Sequence, residues 1–506
     1  MAQGIPIERV VAEGLCVGCG ACASVSNSPF QMRMTELGLY EPRRRTVVGE
    51  SHAAKREEEQ ASELAAVQVC PFSGASQNED EISALLFPDL PYHPLIGRWR
   101  DIRAAHVTVD GFRAHGSSGG MTSWFLSELF RLGVIDAAIH VRAESERGRP
   151  LFTYGVSNSA DEATSWQKSR YHVVEMSQAI NLVRSTSLRY AFVGLPCFVR
   201  SIRSLTEVDR RIQAGIVVTL ALVCGHLKSS RYAEYLAWTQ GIPPAGLEEI
   251  DFRHKLRGRP ADRYAIQAVG RDRDENRVQR TRGVEHIRWS DWGIGLFKVP
   301  ACDYCDDVVG ETADVSFGDA WLPQFRPETE GKNLVITRSE LAERIVSDGV
   351  SRGEVASVRL SPDEAARSQE SGIRHRREGL AVRLAERQRI GRFTPEKRVL
   401  PDPEALGTAF GARMLAREAI AQQSHIQYAE ARMANDLTAF HRSMKEPIRL
   451  YQKSSSTSIL SSFLEKLERR TPYLIIRLAA RVRSVVHPDK RNGTALTRQQ
   501  PQRGSS

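Results

Sequence analysis

The run Cys16-Val17-Gly18-Cys19-Gly20-Ala21-Cys22 constrains this chain more than any other stretch. Three thiolates two residues apart wrap one face of an iron–sulfur cube, and glycines between them let the loop turn tightly. Bacterial ferredoxin runs close with a nearby fourth cysteine and a proline. Here Cys70-Pro71 follows only after a long insertion, and Cys70 is the expected fourth ligand. A structural zinc site is the plainer alternative, but zinc takes paired C-x2-C knuckles or Cys/His sets, which a triple run matches poorly.

The remaining cysteines are Cys197, Cys224, Cys302 and Cys305, the last two forming one C-x2-C knuckle. Eight cysteines among 506 residues are too few for a disulfide framework, so a reduced compartment and metal ligation are expected. For this second set, spacing alone leaves two readings open. The four form a second site, or Cys197 and Cys224 are buried inert thiols.

Texture divides the chain into four segments. Residues 1–97 hold the cysteine run, a charged helical stretch from Lys55 to Ala66, and a break at Pro88, Pro91 and Pro94. Residues 98–398 alternate strand-like and helix-like patterns, which predicts an α/β domain with a parallel or mixed sheet. Strands are expected at Asp101 to Asp110, Val134 to Val141, Tyr190 to Gly194, Ile216 to Cys224 and Ala313 to Phe317. A helix is expected from Met121 to Leu132, where Met121, Phe125, Leu129 and Leu132 recur at helical spacing. Residues 399–488 read as a helical extension and 489–506 as a disordered basic tail.

Between the first of these strands and that helix lies Ser117-Ser118-Gly119-Gly120. Free N–H groups and the helix dipole favour phosphate there. It is neither a P-loop nor G-x-G-x-x-G, so a tight turn without a ligand is the competing reading.

Lys and Arg number 70 against 61 Asp and Glu, a net charge of +9. Residues 451–506 alone carry 11 Lys and Arg against 3 Asp and Glu, a net +8. The basicity belongs to the tail, which argues against a nucleic-acid partner. Thr471-Pro472 reads as a cap followed by a helix to Val486, with Leu474, Leu478, Val482 and Val485 as an apolar stripe and Arg477 and Arg481 at its edge. That segment fits an anionic membrane surface or an acidic partner, and a helix packed on its own domain with a solvated basic edge is the plainer alternative. No apolar run reaches the roughly 20 residues of a membrane span, and no secretory signal is visible, so a cytoplasmic protein is expected, peripheral at a membrane if the tail binds one.

The chain resembles the coenzyme F420 hydrogenase/dehydrogenase beta-subunit family, which includes the 7-hydroxymethyl chlorophyll a reductases. The resemblance covers residues 10 to 340. It rests on the triple cysteine run, Ser118-Gly119-Gly120-Met121-Thr122, Val193-Gly194-Leu195-Pro196-Cys197, Asp251-Phe252-Arg253-His254-Lys255, Pro300-Ala301-Cys302-Asp303-Tyr304-Cys305 and Ala313-Asp314-Val315-Ser316-Phe317-Gly318-Asp319-Ala320-Trp321. Leu195 stands where Thr is common, and residues 400–506 match no part of the family.

The resemblance implies a ferredoxin-like iron–sulfur unit, a central α/β flavin domain, two 4Fe-4S clusters and non-covalent FAD. It places Ser118, Gly119, Gly120, Thr122, Arg253, Lys255 and Asp319 near the flavin. It makes the second cysteine set a cluster site beside the first. Arg253 and Lys255 would supply positive charge to the flavin. His254 is a candidate acid and Asp319 a candidate for binding ribose or orienting a donor, both of them candidate catalytic residues, while Asp314 reads as structural. The expected function is an oxidoreductase linking a ferredoxin-type one-electron carrier to a two-electron small-molecule substrate, a deazaflavin or another conjugated compound. An electron-transfer subunit without its own substrate site, and a zinc-stabilised binding module, are the alternatives.

Overall fold

Eight strands form the central sheet of the computed structural model, which describes residues 4–46, 53–109, 111–144 and 150–454. From edge to edge they are Val355–Arg359, Asp101–Val107, Asn333–Thr337, Val315–Asp319, Ile216–Leu222, Tyr190–Gly194, Ala137–Ala143 and Phe152–Ser157. The four from Val315–Asp319 to Ala137–Ala143 run parallel. The other neighbours pair antiparallel, so the sheet is mixed.

Tyr190–Gly194 is buried at every residue, as a parallel strand covered on both faces must be. Its side chains alternate between the faces. Ala191 and Val193 pack with Met121, Trp124, Phe125 and Leu129 of the helix Met121–Arg131. Tyr190 and Phe192 pack with Phe198, Val199, Ile202 and Leu205 of the helix Pro196–Val208. The helix Met121–Arg131 stops one residue before its expected end. Leu132 becomes the C-cap and is 47% exposed, outside the stripe that its spacing suggested.

The cysteine-rich N-terminal segment does not stand apart. Leu15, Val17, Ala21, Val25 and Phe30 belong to one buried cluster with Met176, Ile180, Val183 and Phe198 of the central region and Tyr428, Phe440 and Met444 of the C-terminal helices. The N–H of Met176 donates to the carbonyl of Cys19 at 2.9 Å. The proline-rich stretch near 90 is likewise no free linker. It forms a short ladder, Tyr92–His93 with Gly97–Arg98, and sends Ile96 into the core. Met1–Tyr451 accordingly forms one compact unit, which the expected boundaries at 97 and 398 do not divide.

A three-stranded antiparallel sheet, Leu247–His254, Ala265–Arg271 and Arg277–Gly283, carries the Phe252 to Lys255 segment. The helical extension consists of Ala409–Met433, capped by the Thr408 hydroxyl, and Leu437–Ser454. The expected helix at Thr471 and the tail from Asp489 lie outside the described residues. Among the described residues no helix is long and apolar enough to cross a membrane.

Candidate functional site

Gly18 and Gly20 take φ of +75° and +88°, in the left-handed region. A Cβ on Gly18 would meet the Tyr40 carbonyl oxygen at 2.7 Å, and one on Gly20 the Glu175 carboxylate at 2.7 Å. The loop is thus fixed as a tight wrap. Cys16, Cys19 and Cys22 together with Cys70 line one cavity of about 20 Å³. Burial raises all four thiols, Cys70 to about 12 with Cys19 adding to the effect.

Cys197 lies in the first turn of the helix Pro196–Val208, just past the carboxyl end of the strand Tyr190–Gly194. Cys224 follows the strand Ile216–Leu222, and Cys302 and Cys305 sit at a short turn, Pro300–Tyr304. The fold gathers these four. After burial, the groups that most raise the Cys197 thiol are Cys305, Cys224 and Cys302. The Leu227 N–H donates to Cys302 Sγ at 3.3 Å. The fully buried Arg376 donates to the carbonyls of Cys224 and Gly225 at 3.2 and 3.0 Å, with Cys224 Sγ 3.9 Å away.

Buried charge props the knuckle. Asp303, between its two cysteines, pairs with Lys298, lies 3.4 Å from Arg383 Nε, and has His375 at 3.5 Å. Burial disfavours its charge, but Lys298 and Arg383 hold its carboxyl well below the usual range. Among the described residues no three His, Cys, Asp or Glu side chains are disposed to hold a single metal ion. A four-iron cluster makes a different demand, one thiolate for each of four irons.

The two cysteine sets adjoin. Cys19 Sγ lies 3.6 Å from the hydroxyl of Ser201, one turn beyond Cys197 on the same helix. Tyr154, stacked on Phe192 and Phe198, senses both Cys197 and Cys19.

A cleft of about 280 Å³ opens at the carboxyl ends of the parallel strands, where open α/β sheets bind ligands. Cys224 of the second set lines it directly. Ser117, Ser118, Gly120, Thr122 and Ser123 form one wall, at the N-terminus of the helix Met121–Arg131. Arg253 and Asp319 line it as an ion pair at 2.7 Å, and Arg253 Nε is buried without a partner.

Other expected flavin residues face elsewhere. Gly119 packs between strands, where a Cβ would meet the Ala105 carbonyl oxygen at 2.7 Å and the Asn333 nitrogen at 2.9 Å. The Lys255 ammonium is spent on main-chain carbonyls, those of Arg113, of Ser118 at 3.2 Å and of Glu330 at 3.3 Å, so it braces the turn. His254 is not among the residues lining the cleft, and its Nδ1 lies 3.8 Å from the Asp251 carboxylate. Asp314 bonds to Thr219 and Arg203 between strands, at 2.8 to 2.9 Å.

Sequence reading missed the opposite wall. Trp166 to His172 forms it, with Arg170 over the Phe152 ring at 5.1 Å, and His226 stacks on Trp292 at 4.3 Å. These residues lie in irregular segments with no periodicity to mark them.

Residues 102–181 match the family model described as the coenzyme F420 hydrogenase/dehydrogenase beta subunit N-terminal region, and residues 187–363 match that of its C terminus. The two matches together span just over half of the chain. The chain belongs to the coenzyme F420 hydrogenase/dehydrogenase beta-subunit family. It is an oxidoreductase of that family's kind. The family match takes in the cleft turn, Arg253, Asp319 and the whole second cysteine set, and leaves out Cys16 to Cys70 and everything after residue 363. Among solved structures, a chain of the F420-reducing NiFe hydrogenase complex from Methanosarcina barkeri is 16% identical. The alignment covers 60% of this chain and 99% of that one, with a TM-score of 0.45. No curated protein matches the chain in sequence.

Proposed function

We propose that this chain is a flavin- and iron–sulfur-dependent oxidoreductase that links a ferredoxin-type one-electron carrier to a two-electron, conjugated small-molecule substrate. The carrying observation is continuity. Cys19 and Cys197 are joined through Ser201, and Cys224 of the second set lines the cleft.

The residues present fit the groups this reading needs. Each cysteine set supplies four neighbouring thiols, the number a 4Fe-4S cluster takes. A bound FAD would supply the exchange between one-electron and two-electron chemistry. Thr122 and Ser123 offer the first-turn N–H groups to its phosphates, because Met121 N–H is already taken by Asn333 Oδ1 at 3.1 Å. The Arg253–Asp319 pair keeps a guanidinium fixed in the cleft wall without leaving a net charge. Trp166, Tyr171 and Trp292 give the cleft aromatic faces suited to a planar substrate. Each conversion consumes or yields two reduced one-electron carriers.

The test is composition under anaerobic purification. About eight irons and one FAD per chain are expected, with Cys19→Ser and Cys302→Ser each losing about four irons and keeping flavin. Zinc in place of iron, or flavin without iron, would reject the reading.

A further inference from the structure

Arg376 lies past residue 363, beyond the family match, yet it enters the second cysteine set. It ends the helix Glu370–Arg376 and is 1% exposed. Its Nη2 makes the contacts to Cys224 and Gly225 described above, while Nε and Nη1 are buried without a hydrogen-bond partner.

Neighbouring arginines of the same segment are balanced by carboxylates. Arg377 stands 3.7 Å from Glu311, Arg383 stands 3.4 Å from Asp303, and Arg398 stands 2.8 Å from Glu311. Among the described residues no carboxylate lies within ion-pair distance of Arg376. A guanidinium stays charged in any protein environment, and a buried charge is costly unless an anion balances it. The groups that act on Arg376 with favourable charge are Cys305, Cys224, Cys302 and Cys197. As neutral thiols they would leave it uncompensated, whereas four thiolates holding a cluster carry net negative charge.

We propose that Arg376 is the fixed counter-charge of the second cysteine set and raises the reduction potential of the cluster those thiols carry. The assignment rests on the cofactor reading above. A cation beside a cluster favours the more negative, reduced state, so its removal lowers the potential. Its place outside the family match makes this a property of the chain's own C-terminal segment.

The experiment compares the full-length holoprotein with Arg376→Gln and Arg376→Lys by iron analysis and EPR-monitored redox titration. All three are expected to hold about eight irons. In Arg376→Gln one cluster's midpoint should fall while the other stays, and Arg376→Lys should restore most of the difference. Loss of about four irons from the Gln variant alone also supports the proposal, because charge is then what retains the group. Unchanged potentials in a fully loaded Gln variant, or equal iron loss from both variants, overturn it. Wild-type protein lacking the second four irons overturns the cofactor reading itself, and is seen before any variant is compared.

Discussion

The hydroxyl of Ser201 lies 3.6 Å from Cys19 Sγ and donates to the carbonyl of Cys197 at 2.8 Å. One small side chain therefore touches both cysteine sets. When Cys19 is a thiol, its S–H can donate to Ser201. When it is a thiolate, a bond between the two needs the hydroxyl to turn from the Cys197 carbonyl toward the sulfur.

Ser201→Ala removes that donor without disturbing packing. Iron content should stay constant, and the N-terminal cluster's potential should fall. A hydrogen bond contributes about 1 kcal/mol, or roughly 40 mV for a one-electron couple. A redox titration with both midpoints unmoved would show that the hydroxyl stays on the Cys197 carbonyl.

Acid should destabilise the fold through three buried histidines. Burial pushes His140, His172 and His425 down to about 4 from an ordinary value near 6.5. The unfolded chain binds protons at these positions that the folded chain refuses between those values. Their stabilisation is therefore complete above pH 6.5 and is lost as pH falls toward 4. Several kcal/mol are at stake in all, at about 1.4 kcal/mol per unit. Thermal unfolding from pH 7.5 to 4 should show a steep fall, flatter when His140, whose ring bonds to the Ser157 hydroxyl at 2.9 Å, is replaced in His140→Gln. Parallel curves for the two proteins would exclude His140.

Gly119→Ala should cost about 1–3 kcal/mol, because its methyl has no room beside Ala105 and Asn333. Gly133→Ala, at positive φ, unlike Gly119, but with open space around it, should cost less. Flavin content in Gly119→Ala should fall only as far as folding does. Flavin loss from a variant with unchanged melting temperature would mean that Gly119 faces the ligand after all.

Asp303→Asn leaves Lys298 and Arg383 buried without their anion. Removing one partner of a buried pair costs about 3–5 kcal/mol. A lowered melting temperature with loss of about four irons is expected. An unaltered melt would mean that water enters and solvates the lysine.

Much of this was legible in the sequence, and the reasons differ by element. Tyr190–Gly194 announced itself because all five residues of a central strand must be apolar or small. The first cysteine set was local, apart from Cys70. The second was not, since two strand ends and a turn bring it together. Edge strands such as Phe152–Ser157 and Val355–Arg359, half-exposed and short, gave too little pattern. Arg376 was invisible for another reason. In Arg374-His375-Arg376-Arg377 it reads as one charge on a solvated basic face, and only tertiary packing buries it while leaving Arg374 exposed. Likewise Lys255 looked like a ligand for anions, and its three carbonyl partners come from other parts of the chain.

The C-terminal helix Ala409–Met433 closes over the C-x2-C knuckle. Tyr304 reaches Glu418 at 2.6 Å across 114 residues of sequence, and His425 Nε2–H donates to the Lys298 carbonyl at 3.0 Å. During synthesis, Cys302 and Cys305 leave the ribosome well before the helix that covers them. Until that helix docks, the turn that carries both thiols lacks its contacts to Glu418 and His425. The interval before those contacts form is therefore set by translation, and slow elongation after residue 305 would lengthen it.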